Sequence, residues 1–241
     1  MYELTPLTST QRHFCESTIS ANTFYMLVGS ALIKKQSLSV VRMGDGEVAL
    51  YQSVRRGGDE PTPPPESRTQ QWMKNLGLLN IPKKILKERI VRAANECTYF
   101  APSISGIWRT DYDNYQLSFR DRYVDNFFVN AWTNEMIAAL YRQAGHVLLI
   151  HGTVETADAM QINCQQLLGV KVSFLRLTSW ECAEEVLAEA HKIDAPLVLF
   201  SAGPGGKYIG PAISNGHKKV ALDLGNSADL WTLNNAEVYP V

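Results

Sequence analysis

His146-Val147-Leu148-Leu149-Ile150-His151-Gly152-Thr153 is the stretch on which the reading of the fold turns. Four aliphatic residues in succession, closed by Gly-Thr, read as a strand buried on both faces that stops just before a helix. Helical spacing precedes it at 134–143 and follows it at 155–168. The same alternation continues towards the C-terminus. Lys171 to Leu175 reads as a strand, 179–191 as a helix, Leu197 to Phe200 as a strand, 205–214 as a helix and Lys219 to Leu222 as a strand. Thr178 and Glu181 stand at the spacing of a capping box at the start of the 179–191 helix. Strands alternating with helices of this length predict βαβ units and a parallel sheet.

Towards the N-terminus the pattern is looser. Residues 8–36 read as helical, with apolar spacing through Phe24, Leu27, Val28, Ala31 and Leu32. Leu38 to Met43 reads as a strand, 66–77 and 82–95 as helices, and Thr98 to Ala101 as a short strand. Gly57-Gly58-Asp59-Glu60-Pro61-Thr62-Pro63-Pro64-Pro65 reads as a mobile loop that could act as a lid. The aromatic-rich stretch Trp108 to Trp132 could be an acceptor surface or a second small core, and its spacing does not choose. One α/β domain over 1–241 accommodates all of this.

The bulk properties narrow the function classes. The chain has 241 residues, 45% of them apolar, and a formal net charge of -1. Such a balance argues against nucleic acid as the main partner. No apolar run approaches the roughly 18 residues of a membrane span, and the first residues do not read as a signal peptide. Cys15, Cys97, Cys164 and Cys182 show no metal-binding spacing and read as free thiols of a reducing compartment. A cytoplasmic location is the expectation.

In an open parallel sheet, ligands bind beyond the carboxyl ends of the strands. Four strand ends here are small, polar or charged. They are Gly44-Asp45-Gly46-Glu47, His151-Gly152-Thr153, Ser201-Ala202-Gly203-Pro204-Gly205-Gly206-Lys207 and Asp223-Leu224-Gly225-Asn226. Free N–H groups at the following helix starts favour phosphate, so the edge reads as a pocket for a phosphorylated ligand. Gly44-Asp45-Gly46-Glu47-Val48-Ala49 formally fits the dinucleotide fingerprint. Its two carboxylates would repel a bare pyrophosphate, however, and no acid follows at the end of a second strand. Asp45 and Glu47 can hold a hard divalent cation or merely cap a helix. Gly203 to Lys207 is no P-loop, because Ser201 and Tyr208 stand where Gly and Ser or Thr are required. It is either a phosphate-facing glycine turn with Lys207 or a plain tight turn. His151 and Asp223 are candidate substrate-facing groups. Arg42 could meet a carboxylate or a phosphate, and Trp180 could stack on a base or belong to the core.

Arg42-Met43-Gly44-Asp45-Gly46-Glu47 after a strand resembles the signature of the GT-D glycosyltransferases. A strand ending near Gly203-Pro204 and another ending in Asp223-Leu224-Gly225 have that family's order. Met43 departs from the aromatic common at its position, and Gly205-Gly206-Lys207 is richer in glycine than usual. The resemblance implies a Rossmann-like, mostly parallel sheet flanked by helices, with an N-terminal helical segment. It implies Mn²⁺ or Mg²⁺ on Asp45 and Glu47, holding the diphosphate of a nucleotide sugar, a UDP-sugar first among them, and transfer to a glycan or glycoconjugate acceptor. Arg42, Gly44, Gly46, Gly152, Thr153, Gly203, Gly205, Gly206 and Lys207 are then the candidate donor-binding residues. His151 and Asp223 are candidates for the base. A NAD- or FAD-dependent oxidoreductase and a non-catalytic nucleotide or sugar-phosphate binder are the alternatives. A homo-oligomer is compatible with the sequence.

Overall fold

The computed structural model describes residues 16–43, 83–102 and 122–234. Within them an eight-stranded sheet, parallel at every pairing, forms the middle layer. Its strands are β1 (Thr18–Ile19), β2 (Leu38–Arg42), β3 (Tyr99–Ala101), β4 (Tyr123–Val124), β5 (His146–His151), β6 (Lys171–Arg176), β7 (Leu197–Phe200) and β8 (Val220–Asp223), in the spatial order β1-β4-β3-β2-β8-β7-β5-β6. The helices are α1 (Ala21–Ile33), α2 (Lys83–Glu96), α3 (Phe128–Ala131), α4 (Asn134–Ala144), α5 (Val154–Leu168), α6 (Ala183–Lys192), α7 (Gly203–Gly206) and α8 (Ile209–Ser214). Single turns of 3₁₀ helix cover Trp180–Cys182, and a longer one covers Gly225–Trp231. The Rossmann-like α/β class expected from the sequence is the observed one.

The helices divide between the two faces by direction of travel. Chain that steps towards the β6 edge (α1, α3, α4, α5) packs its apolar residues with Val40, Val147, Leu149 and Leu222 on one face. Chain that steps towards the β1 edge (α2, α6, α8) packs with Val41, Leu148, Ile150 and Ala221 on the other. Right-handed crossovers require this partition, since reversing the step reverses the face. The period-two pleat does the rest, sending alternate residues of each strand into opposite cores.

Local signals explain most boundaries. Thr133 caps α4 by accepting from the Met136 amide, and Gly145, at φ 67°, ends that helix in the left-handed region that glycine tolerates best. Gly169 does the same for α5 at φ 65°. Two expectations fail. Thr18–Ile19, inside the segment read as helical, is a strand, because it pairs with Tyr123–Val124 across the sheet. The Thr178–Glu181 capping box does not form. The segment is a 3₁₀ turn without a side-chain cap, and the Thr178 and Ser179 hydroxyls lie 3.8 and 3.6 Å from the Cys182 sulfur instead.

In the described part of the aromatic stretch, Tyr123, Phe128 and Trp132 belong to the core, whereas Phe127 is exposed. Phe24, Phe128, Trp132 and Trp231 are buried, and their rings contact one another at centroid separations of 5.0 to 5.9 Å. The indole N–H groups donate to carbonyls, Trp132 to Ala21 and Trp231 to Val129, so neither buried ring strands its polar atom. Trp180 packs half-buried against the opposite core, with the Arg89 guanidinium 5.0 Å above its ring.

Candidate functional site at the carboxyl edge

Chain leaves β7 into the α8 layer, whereas it leaves its neighbours β5 and β8 into the opposite layer. Adjacent strands whose continuations part to opposite faces open a crevice at the carboxyl edge, which is where such sheets bind ligands. The candidate residues that are described lie along this edge. Asp45, Glu47, Gly44 and Gly46, the 57–65 loop and the helix expected over 66–77 lie outside the described residues.

Asp223 ends β8 and is 1% exposed. Its Oδ2 accepts from the Arg42 amide at 3.0 Å and from the Lys207 ammonium at 2.7 Å, and its Oδ1 accepts from the Gly225 amide at 3.0 Å. Lys207 is 3% exposed. One carboxylate therefore binds the end of β2, the residue after α7 and the turn beyond β8 into a single unit. Charge-assisted bonds of this kind are the strong ones, and their geometry is restrictive.

Arg42 ends β2 and points to the opposite face. Its Nε donates to the backbone and side-chain oxygens of Asn126, at 2.8 and 3.1 Å, and its Nη1 donates to the Leu224 carbonyl. Gly225 sits at φ 56°, and a Cβ there would lie 2.7 Å from Arg42 Nη1. Glycine at 225 thus answers both a backbone need and a close approach by the guanidinium. The Ser201 hydroxyl donates to the Gly225 carbonyl and joins the end of β7 to the same unit.

Between β7 and β5 the turn is different. The Thr153 amide donates to His151 Nδ1 at 3.0 Å, and the Thr153 hydroxyl lies 2.8 Å from the same nitrogen. That hydroxyl is also 2.9 Å from Thr156 Oγ1, which donates to Asp229 at 2.7 Å. Thr153 occupies the N-cap position of α5 yet makes no side-chain cap. A capping bond at such a position contributes about 1 kcal/mol, and here the hydroxyl is turned towards the histidine instead. Arg176, the ladder partner of His151, donates from Nε to the Gly152 carbonyl at 3.2 Å.

Burial lowers the His151 pKa from its ordinary 6.5, with the Thr153 backbone and, less strongly, the Asp229 charge pulling the other way. A depressed folded-state pKa means the unfolded chain binds the proton more readily. The contribution of His151 to stability is therefore complete above about pH 6.5 and is lost as pH falls through the lower, folded value. The urea midpoint of the protein should fall between pH 7.5 and 5, and His151→Gln should flatten that slope. An unchanged slope in the variant would refute the assignment.

The glycine run is explained mainly by packing. Gly203 has φ 57°, and a Cβ on Gly206 would lie 2.5 Å from the Ala202 Cβ. α7, which contains Gly205, is a single turn of four residues. At Gly152 an added Cβ would meet only the Leu177 carbonyl, at 3.5 Å. Asn126 and Asp229 escaped the sequence reading because nothing local marks them. Thr156 had a signal, its three-residue spacing from Thr153 at a helix start.

Among the described residues, no group of three or more His, Cys, Asp or Glu side chains could hold a metal ion. Asp223 already accepts three hydrogen bonds. Cys97, Cys164 and Cys182 are free thiols, and burial pushes the Cys164 pKa up to about 12. No helix among the described residues is long and apolar enough to cross a membrane.

Parallel strands with helices on both faces and polar residues along the carboxyl edge define a Rossmann-like α/β domain. Residues 19–231 match a family model described as a GT-D fold-like domain. That span is most of the chain, and the protein belongs to the GT-D-like family. No curated protein and no solved structure matches the chain.

Proposed function

We propose that the protein is a metal-dependent glycosyltransferase that moves a sugar from a nucleotide-diphosphate donor, a UDP-sugar first among them, to a glycan or glycoconjugate acceptor. The observation that carries this reading is the family match over 19–231, with Asp45-Gly46-Glu47 beginning three residues after the last residue of the central strand β2. Asp45 and Glu47 would hold Mg²⁺ or Mn²⁺, which when bound supplies Lewis-acid stabilisation to the departing nucleoside diphosphate. Gly152 and Thr153, at the start of α5, would lend main-chain N–H groups to phosphate. Asp223 and Lys207 would position rather than react, because the carboxylate is fully engaged below the surface. Arg42 would fix the end of β2 from the other face. Free thiols among the cysteines favour a cytoplasmic setting.

The test is a thermal-shift panel of nucleoside diphosphates and nucleotide sugars, with and without Mn²⁺. The expected result is stabilisation by one nucleotide base that depends on the metal. With ligand at 100 times its Kd the gain is about 2.7 kcal/mol, which amounts to several degrees in Tm. Stabilisation by NAD but not by UDP would overturn the proposal in favour of an oxidoreductase. Binding without sugar transfer across a panel of acceptors would favour a non-catalytic sensor.

A further inference from the structure

We propose that His151 acts as a neutral hydrogen-bond donor, presenting its Nε2–H to an anionic oxygen of the bound diphosphate, rather than as the base that takes the acceptor's proton. This deepens the glycosyltransferase reading and rests on it for the identity of the ligand.

The tautomer follows from the backbone. The hydrogen on the Thr153 amide is fixed by the peptide plane, and it points at His151 Nδ1 across 3.0 Å. An N–H donor requires a lone pair, so Nδ1 carries no hydrogen and the neutral ring carries its proton on Nε2. With Nδ1 bare, the Thr153 hydroxyl donates its hydrogen to that nitrogen across 2.8 Å, while Thr156, whose oxygen lies 2.9 Å from the Thr153 oxygen, gives its single hydrogen to Asp229. Thr153 thus holds the ring from behind with both its amide and its hydroxyl, and makes no capping bond.

Nε2 makes no hydrogen bond with the described residues, in a half-buried ring at the end of β5. The lowered pKa supports a ring that is neutral at working pH. The charged groups around it are Asp229, held off through two threonines, and Arg176, whose Nε is turned to the Gly152 carbonyl. A neutral imidazole with a fixed N–H suits an oxygen that gains charge as a nucleoside diphosphate departs. It does not suit proton abstraction, because Nε2 already holds its hydrogen. Thr153 is then the positioning residue.

Two-bond ¹H–¹⁵N correlation on the ¹⁵N-labelled chain at pH 7.5 reads the tautomer directly. The expected pattern is a protonated Nε2 and a bare Nδ1, with the Nε2 resonance moving when UDP and Mg²⁺ are added. A proton on Nδ1, or a doubly protonated ring, would overturn the inference. So would UDP binding, seen as thermal stabilisation, that leaves Nε2 unmoved. Inorganic pyrophosphate with Mg²⁺ is the second probe. A shift with pyrophosphate and none with any nucleoside diphosphate would support the donor role while refuting the nucleotide-sugar reading. No shift with either would refute the donor role. Substitution gives an independent check, since Gln places an N–H near the position of Nε2 but cannot serve as a base. His151→Ala should weaken UDP–Mg²⁺ binding about tenfold, the loss expected for one hydrogen bond to a charged group, and His151→Gln should recover most of it. Equal losses in the two variants would count against a donor.

Discussion

Asp223→Ala is expected to destabilise the fold by about 3–5 kcal/mol, the range for breaking a buried ion pair by removing one partner. The size follows from where the charge lies. Asp223 and Lys207 are 1% and 3% exposed and 2.7 Å apart, so water cannot replace the carboxylate facing the ammonium. The substitution also takes the acceptor from two amides, those of Arg42 and Gly225. A loss of this size is a large share of the 5–15 kcal/mol that holds a typical domain together. Urea denaturation at pH 7.5 measures it. Asp223→Asn keeps the shape and an acceptor for one of the two amides but removes the charge, and should fall between wild type and Ala. Adding Lys207→Met to Asp223→Asn should recover part of the loss, since replacing both members of a buried pair is often nearly neutral. An Ala variant within 1 kcal/mol of wild type would mean that the pair does not bind the strand ends together.

The pair also explains how the edge keeps its shape. The three donors that Asp223 accepts come from the end of β2, from the residue after α7 and from the turn after β8. Arg42 reaches from the opposite face to Asn126 and Leu224, beyond the ends of β4 and β8. The sheet thus carries one charged latch on each face, and both involve Arg42. The residues that follow Arg42 are Met43, Gly44 and Asp45. If Asp45 and Glu47 hold a metal as proposed, they gain from a fixed starting point, because catalysis depends on positions held to a fraction of an ångström.

The class of fold was legible because its signals are local. Runs such as Val147 to Ile150 and Leu197 to Phe200 have no alternation, so only a sheet covered on both faces accommodates them. Gly145 and Gly169 mark helix ends by their backbone freedom. The short strand Thr18–Ile19 was illegible because its only reason to exist is its partner, more than a hundred residues away in sequence. The roles at the edge were half legible. Strand ends rich in glycine and charge marked the place, but partner choice is tertiary. Arg42 looked available to a phosphate or a neighbouring acid, whereas its guanidinium meets a carbonyl 84 residues away and another 182 away. Asp229 carries no signal at all, and it is the fold that brings it to Thr156, 73 residues distant.

Asp45→Ala is the prediction with the largest effect on function: metal-dependent sugar transfer should fall roughly a thousandfold or more, with the fold intact. The magnitude comes from the chemistry proposed for the metal. Lewis-acid stabilisation of a leaving diphosphate contributes several kcal/mol to the transition state, and each 1.36 kcal/mol is a factor of ten in rate. Loss of one carboxylate from a pair should abolish tight binding of a hard cation, which needs charged oxygen ligands. Titration of Mn²⁺ by its electron paramagnetic signal would show that loss without any assay of transfer. Glu47→Gln should repeat both effects, since it removes the other charge from the same pair. The contrast with Asp223→Ala is the informative part. One substitution should weaken the domain while leaving the metal ligands in the chain, and the other should lose the metal while leaving the urea midpoint unchanged. If Asp45→Ala instead lowers the midpoint as far as Asp223→Ala and still binds Mn²⁺, the metal proposal is wrong and the helix-capping reading of Asp45 and Glu47 stands.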